Sequence, residues 1–163
     1  MASTTTPGTS DSLVALIEAG FRPLRDAVGA LAEAGSDQRT AAGWTLKEMI
    51  AHLAYWEGTV SPSFAALRAG RAEDNGRSVD DVNAEVAREA RGRSRSEILA
   101  RWDVAHARVL EAVRTMSEAE LTDERFIDKV AGETYGHYPE HSRELAATPS
   151  GREDLQERGL DGW

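Results

Sequence analysis

The chain of 163 residues contains no cysteine. This absence excludes disulfide bonds, metal sites built from thiolates, and a cysteine nucleophile. Any thiol chemistry performed by this protein therefore requires a thiol that is supplied from outside the chain.

The chain also lacks an excess of positive charge and a long apolar run. Its 19 Lys and Arg residues are outnumbered by 28 Asp and Glu residues, which gives a formal net charge of -9. The basic residues are scattered among acids, which argues against binding to nucleic acid or to an anionic membrane surface. No segment approaches the roughly 20 apolar residues of a membrane span. We therefore expect a cytoplasmic protein without a nucleic-acid or membrane partner.

No segment shows the apolar and polar alternation of a β-strand, whereas apolar residues recur at helical spacing along most of the chain. Four long helical segments are predicted: from Ser10 or Asp11 to near Gly35, from Thr45 to Gly70, from Ser94 to about residue 116, and over residues 127–145. A short surface helix over residues 79–91 lies in the crossover between the second and third segments. The predicted fold class is all-α, a four-helix bundle with a long crossover that contains a short extra helix.

A single domain accounts for this length. The first ten residues are rich in Ser and Thr and have nothing apolar to bury, so residues 1–10 are predicted to be a disordered leader. The bundle is predicted over residues 11–147, and residues 148–163 form a polar tail that ends in Trp163.

Three prolines lie inside helical patterns. Pro23 predicts a kink or an interruption near Gly20, and Pro62 predicts a bend, because proline removes a backbone donor and crowds the preceding turn. Pro139 allows two geometries. The last helix is either kinked there, or it breaks near residues 135–136 and restarts with Pro139 in its first turn.

Three of the four histidines fall in two short segments. His137 and His141 are four residues apart, a spacing that places two side chains on one face of a helix. His52 lies on the second helix, on the shoulder of its apolar stripe, where it can face a cleft between helices. Packing of these two helices would bring three imidazoles together and leave coordination positions open, as in catalytic metal sites. His106 lies on the apolar line of the third helix, as an ordinary core residue or as an additional polar group in the site.

The ligand set does not select one metal, because neutral imidazole binds zinc, nickel, iron and copper. Zinc and nickel are the expected ions. Glu144, three residues after His141, could orient an imidazole or act as a base, and we predict Glu144 and Tyr138 as the catalytic candidates. The predicted substrate pocket is lined by Trp56, Tyr55 and His106, although aromatic residues at helical spacing are more often part of a core.

Three stretches of the sequence resemble the DinB-like four-helix bundles. They are Trp44 and Thr45 leading into "HLAYWE", the crossover helix "DDVNAEV", and "ETYGHYPEH" near the end of the bundle. The order and spacing of these stretches carry the resemblance, which extends from Asp11 to about Ala147. Proteins of that superfamily commonly hold a metal with one histidine from the second helix and two from the last, which correspond to His52, His137 and His141.

The resemblance implies several activities. Some members resemble maleylpyruvate isomerase and the transferases of low-molecular-weight thiols, in which the metal activates a thiol cosubstrate. Others resemble the ClbS/DfsB proteins, which protect cells by hydrolysing a reactive natural product. Our first hypothesis is thus a metal-dependent enzyme that acts on a small electrophile by thiol transfer or hydrolysis. Two alternatives are a protective protein that binds or hydrolyses a reactive metabolite without metal, and a non-catalytic bundle that forms a homodimer.

Overall fold

The computed structural model describes residues 8–31, 38–72 and 76–147. Most of the predicted leader and the whole predicted tail lie outside these ranges, so the domain boundaries stay predictions. Within the described ranges there are seven α-helices and no β-strand: α1 Ser10–Ala30, α2 Leu46–Gly58, α3 Val60–Arg68, α4 Val79–Arg91, α5 Arg95–Arg114, α6 Glu124–Glu133 and α7 Tyr138–Ala147. A single 3-10 turn, Glu120–Thr122, precedes α6.

The helices form four rods and a crossover helix, which confirms the predicted all-α class. The rods are α1, α2 followed by α3, α5, and α6 followed by α7. The second rod packs through α2 on α5 and through α3 on α6, and α1 packs on both α5 and α7. The crossover helix α4 lies against α2. No helix in the described part of the chain is long and apolar enough to cross a membrane.

The N-terminus of α2 is a capping box, as the sequence predicts. The backbone N–H of Thr45 donates to the Glu48 carboxylate at 2.9 Å, and the Thr45 hydroxyl accepts from the Glu48 N–H. Glu48 is 3% exposed and also accepts a hydrogen bond from Arg91 at the end of α4. Burial opposes ionisation, but these hydrogen bonds outweigh it and lower the pKa of Glu48. The same carboxylate therefore begins α2 and fixes α4 against it.

The first helix differs from its prediction at three points. Thr9, rather than Ser10 or Asp11, is the N-cap. The helix is continuous through Pro23, so the predicted interruption near Gly20 is wrong; buried residues on both sides of the proline hold the helix in the core. The helix ends at Ala30 rather than near Gly35. Arg95 of α5 donates hydrogen bonds to the carbonyls of Val28 and Leu31, which satisfies backbone acceptors at this helix end.

The second rod is interrupted one turn earlier than its proline suggests. Helix α2 ends at Gly58, and α3 begins at Val60, so Pro62 lies in the first turn of α3, where its missing N–H costs little. At the far end, Gly70 has a φ of +65° and follows Ala69, the C-cap of α3. The Arg71 N–H returns to the Ala66 carbonyl at 2.9 Å, which closes a Schellman motif.

The last rod breaks before Pro139, which is the second of the two predicted geometries. Helix α6 ends at Glu133, a turn follows, and α7 starts at Tyr138 with Pro139 as its second residue. The Gly136 N–H donates to the Ala131 carbonyl at 2.8 Å. A Cβ at Gly136 would lie 2.6 Å from that same oxygen, so only glycine fits this turn.

The packing of α1 on α7 depends on a second glycine. Gly20 faces the ring of Tyr138, and a Cβ at this position would lie 2.8 Å from Tyr138 Cδ2. The ring is part of the core and is 1% exposed. It has little room to move away, because the residues around it are closely packed.

We expect Gly20→Ala to destabilise the protein by about 1–2 kcal/mol, because the steric cost in a packed core exceeds the helix propensity gained by alanine. Gly132→Ala is the matched control, because a Cβ there meets nothing within 4 Å. That change should leave stability unchanged or raise it by up to about 1 kcal/mol. Urea unfolding of both variants checks the prediction, and equal effects at the two positions would contradict it.

Candidate metal centre

Three imidazoles converge between α2 and the start of α7. The Nε2 atom of His137 lies 3.1 Å from His52 Nε2 and 2.9 Å from His141 Nε2. One ligand atom from each of these residues lies within 4.8 Å of the others, and among the described residues this is the group of histidine and acidic side chains that could hold a metal ion. The structure therefore brings together the three predicted ligands.

The three histidines come from different local structures. His52 lies in α2 and His141 in α7, and both are buried. His137 is half-buried and lies in the turn that precedes α7. His137 therefore lies just before the helix that carries His141, in the second of the two geometries predicted at Pro139. The two imidazoles still converge, because His137 directly precedes α7 and its carbonyl accepts the Glu140 N–H at 3.2 Å, which joins it to the first turn of that helix.

The hydrogen bonds of Asn83 define the tautomer of His52. Asn83 Oδ1 accepts the indole N–H of Trp56 at 2.9 Å, and the same oxygen lies 3.0 Å from His52 Nδ1. Since an indole only donates, this side-chain atom is the acceptor, and His52 Nδ1 carries a proton and donates to it. In the neutral ring, His52 Nε2 then presents a lone pair to the other two histidines.

Glu144 defines the orientation of the His141 ring, as Asn83 does for His52. The His141 Nδ1–H donates to Glu144 Oε2 at 2.8 Å, and the Thr40 hydroxyl donates to the other oxygen. Burial alone would raise the pKa of Glu144, but the hydrogen bonds from His141 and Thr40 outweigh it and lower that pKa. A carboxylate that orients the far nitrogen of an imidazole is a common partner of metal-binding histidines.

The imidazoles of His52 and His137 are neutral at neutral pH, so each carries a single ring proton. Burial, followed by the proximity of the other two histidines, lowers the pKa of His52 to about 4. Burial and the neighbouring His141 lower the pKa of His137 to about 4 as well. With Nδ1 protonated on His52 and His141, two Nε2 lone pairs point at His137 Nε2. A single proton on that atom can form a hydrogen bond to only one of these two lone pairs. A cation between the three rings would bind both, so the cluster has the lone pairs that a metal site requires.

A divalent cation fits this geometry. Tetrahedral zinc with bonds of about 2.0–2.1 Å to imidazole nitrogen separates two ligand atoms by about 3.3 Å. The separations of 2.9 Å and 3.1 Å from His137 Nε2 require shifts of only a few tenths of an ångström, and the third pair of ligand atoms lies within 4.8 Å. Three protein ligands leave at least one coordination position open, which is the arrangement of catalytic rather than structural sites.

Two tryptophan side chains lie beside His52. The centroid of the Trp44 ring lies 5.3 Å from that of His52, and the centroid of the Trp56 ring lies 6.3 Å away. Trp56 also lines a groove of about 800 Å³, together with Tyr55, Val82 and other residues of α2, α3, α4 and α6. Two of the three predicted pocket residues, Trp56 and Tyr55, therefore line the same groove, whereas the three histidines do not line it.

The remaining candidates, Tyr138 and His106, lie in a second buried polar cluster. Glu57 Oε1 accepts hydrogen bonds from Trp102 Nε1 at 2.7 Å and from the Tyr138 hydroxyl at 3.0 Å. The ring nitrogens of His106 lie 3.2 Å from Glu57 Oε2 and 2.5 Å from Glu18 Oε1. Burial and the adjacent Glu57 raise the pKa of Tyr138, so its hydroxyl keeps its proton and donates it to Glu57. The catalytic role of Tyr138 and the pocket role of His106 stay predictions.

Six residues of the two clusters are not among the predicted site residues: Asn83, Trp44, Thr40, Glu57, Trp102 and Glu18. In the sequence, Asn83 and Trp44 contribute only to the family resemblance, and Thr40 lies in a predicted loop. Glu57 could have been found, because it continues the apolar stripe of α2, between Leu53 and Val60 at spacings of four and three. An acid in that position is buried and needs donors around it.

Comparison with known protein families matches residues 17–153 to the family described as "Mycothiol maleylpyruvate isomerase N-terminal domain". Comparison with curated proteins finds no match. Comparison with solved structures also finds none. The matched range includes all three histidines of the centre and both of the residues that orient them.

Proposed function

This chain belongs to the mycothiol maleylpyruvate isomerase N-terminal domain family, a DinB-like family, and from that premise we propose that it is a metal-dependent enzyme that uses a low-molecular-weight thiol. In this proposal His52, His137 and His141 hold a divalent cation. The substrate is a small electrophile, and mycothiol or a related thiol is the cosubstrate.

The observation that carries the proposal is the convergence of three Nε2 atoms, two of them with lone pairs fixed by Asn83 and Glu144. When bound, a divalent cation favours the thiolate form of a thiol at neutral pH, and the thiolate is the nucleophilic form. The imidazole donor set suits zinc or nickel. Because the chain has no cysteine, the sulfur must come from a cosubstrate.

The residues around the centre would contribute two things to this chemistry, the orientation of the ligands and space for the substrates. Asn83 and Glu144 keep the imidazoles of His52 and His141 in the tautomer that binds a cation. Both oxygens of Glu144 are engaged, by His141 and Thr40, so its proposed role is to orient the ligand rather than to accept a substrate proton. The groove of about 800 Å³ is not lined by the histidines themselves, but its lining residue Trp56 shares the acceptor oxygen of Asn83 with His52, and its volume suits a small electrophile with a thiol.

Thiol-dependent turnover tests the proposal. We expect protein loaded with zinc or nickel to convert maleylpyruvate or another small electrophile only in the presence of mycothiol or a related thiol. Chelation of the metal should abolish the conversion, and reloading should restore it. Product analysis separates the alternatives, because sulfur is found in the product of a transfer, and the thiol is recovered unchanged after an isomerisation.

Conversion of the electrophile to a hydrolysis product at the same rate with and without thiol would overturn the thiol-dependent proposal. That result would favour the hydrolytic alternative implied by the resemblance to ClbS/DfsB proteins. Turnover that survives complete removal of the metal would overturn the metal dependence.

A further inference from the structure

His137 differs from the other two histidines of the centre in how its ring is oriented. His52 Nδ1 donates to Asn83, and His141 Nδ1 donates to Glu144. His137 Nδ1 is buried and has no hydrogen-bond partner among the described residues. Apart from the contacts of its Nε2 with the other two histidines, the position of its ring is therefore set by the backbone that carries it.

That backbone is anchored by the next residue in the chain. Tyr138 directs its ring against Gly20 of α1, where there is no space for even a Cβ. The Tyr138 hydroxyl donates to Glu57 Oε1 at 3.0 Å. On the other side, the turn is held by the His137 N–H, which donates to the Thr134 carbonyl at 2.8 Å. His137 thus lies between a closed turn and a side chain fixed at both its ring and its hydroxyl.

Glu57 is itself buried and hydrogen-bonded on both carboxylate oxygens. It is 1% exposed, and Trp102 Nε1 donates to Oε1 at 2.7 Å while His106 Nδ1 lies 3.2 Å from Oε2. Glu57 follows His52 by five residues on the same helix, α2. The hydrogen bond between Tyr138 and Glu57 therefore connects the helix that carries His52 to the segment that carries His137.

We propose that Tyr138 and Glu57 are positioning residues of the metal centre. Through their hydrogen bond they hold His137 at the distance from His52 that a shared cation requires. Asn83 and Glu144 orient their histidines through hydrogen bonds to Nδ1. Tyr138 and Glu57 instead position His137 by fixing the backbone next to it. This inference rests on the proposed metal site, and it gives the buried hydroxyl of Tyr138 a role that needs no contact with substrate.

The test compares Tyr138→Phe with Tyr135→Phe. The first change removes the hydroxyl that binds Glu57 and keeps the ring that fills the space beside Gly20. The second change removes a hydroxyl for which the described residues show no hydrogen bond, at a position in the same turn. Zinc affinity of each purified variant is measured by competition with a chromogenic chelator, well below the unfolding temperature.

We expect zinc affinity to fall about tenfold or more in Tyr138→Phe, which is the usual effect of removing a residue that orients a ligand. Tyr135→Phe should bind zinc within twofold of the unchanged protein. Equal zinc affinity in Tyr138→Phe and the unchanged protein would overturn the inference, even if the variant unfolds at a lower temperature. A purely structural role of the hydrogen bond predicts that combination.

A second measurement separates this inference from the proposed function. In metal-free protein, the imidazole nitrogen resonances of His137 should shift in Tyr138→Phe and stay in place in Tyr135→Phe. If the unchanged protein binds no metal but these resonances shift, the proposed function fails and the positioning role stands. If the unchanged protein binds zinc and Tyr138→Phe changes neither affinity nor resonances, the positioning role fails and the proposed function stands.

Discussion

His52→Ala should lower the affinity for zinc or nickel by at least about a hundredfold. Zinc sites in proteins have binding free energies on the order of 10 kcal/mol, and one of three imidazole ligands contributes a substantial share of it. The loss should exceed that expected for the orienting residues, because His52 presents its Nε2 directly to the centre, 3.1 Å from that of His137. Isothermal titration of the metal-free protein measures the change.

His106→Gln is the matched control, because it replaces the one histidine outside the centre. His106 is buried between Glu57 and Glu18, so this variant is expected to lose stability. It should nevertheless bind one metal ion per chain. A His106→Gln variant that folds and loses metal binding, or a His52→Ala variant that keeps it, would contradict the assignment of ligands.

Glu57→Ala should lower the free energy of unfolding by about 3–5 kcal/mol. The carboxylate accepts hydrogen bonds from Trp102 and Tyr138, and it faces His106, all within the core. Removal of the carboxylate leaves the buried N–H of Trp102 and the buried hydroxyl of Tyr138 without their acceptor, and the truncation also opens a cavity. Denaturant unfolding of the metal-free protein measures the loss without a contribution from metal binding.

Glu140→Ala provides the comparison for this large effect. Glu140 is exposed in the first turn of α7, and its removal should change the stability by no more than about 0.5 kcal/mol. A Glu57→Ala variant as stable as Glu140→Ala would mean that the buried cluster does not stabilise the fold. In that event the hydrogen bond from Tyr138 to Glu57 could not hold α7 against α2 in the way described above.

The sequence predicts which residues come together at the centre better than it predicts the backbone structure that carries them. The capping box of Thr45 and Glu48 located the start of α2, and His52 lies at the edge of the stripe that this helix buries. The four-residue spacing of His137 and His141 indicates a shared site. It is the spacing of two residues on one helix face, but α7 begins at Tyr138 and does not include His137. From the sequence, Pro139 is compatible with a kinked helix and with a broken one. The structure distinguishes them, because the Gly136 N–H donates to the Ala131 carbonyl and closes a turn before α7.

The supporting residues were harder to foresee for a different reason. Asn83 and Thr40 reach the centre from the crossover helix and from a loop, so their contacts depend on the packing of segments far apart in the chain. Helical periodicity carries no information on such contacts. The end of α1 was missed for the same reason, because Arg95 closes it from α5, more than sixty residues later.

Metal content of the unchanged protein is the most direct test of the central claim. The protein should be purified without a nickel column and without chelators, beside a variant in which His52, His137 and His141 are all alanine, and both analysed for metals. We predict close to one zinc or nickel ion per chain in the unchanged protein and none in the variant. No metal in the folded, unchanged protein, together with no binding on titration, would contradict the account.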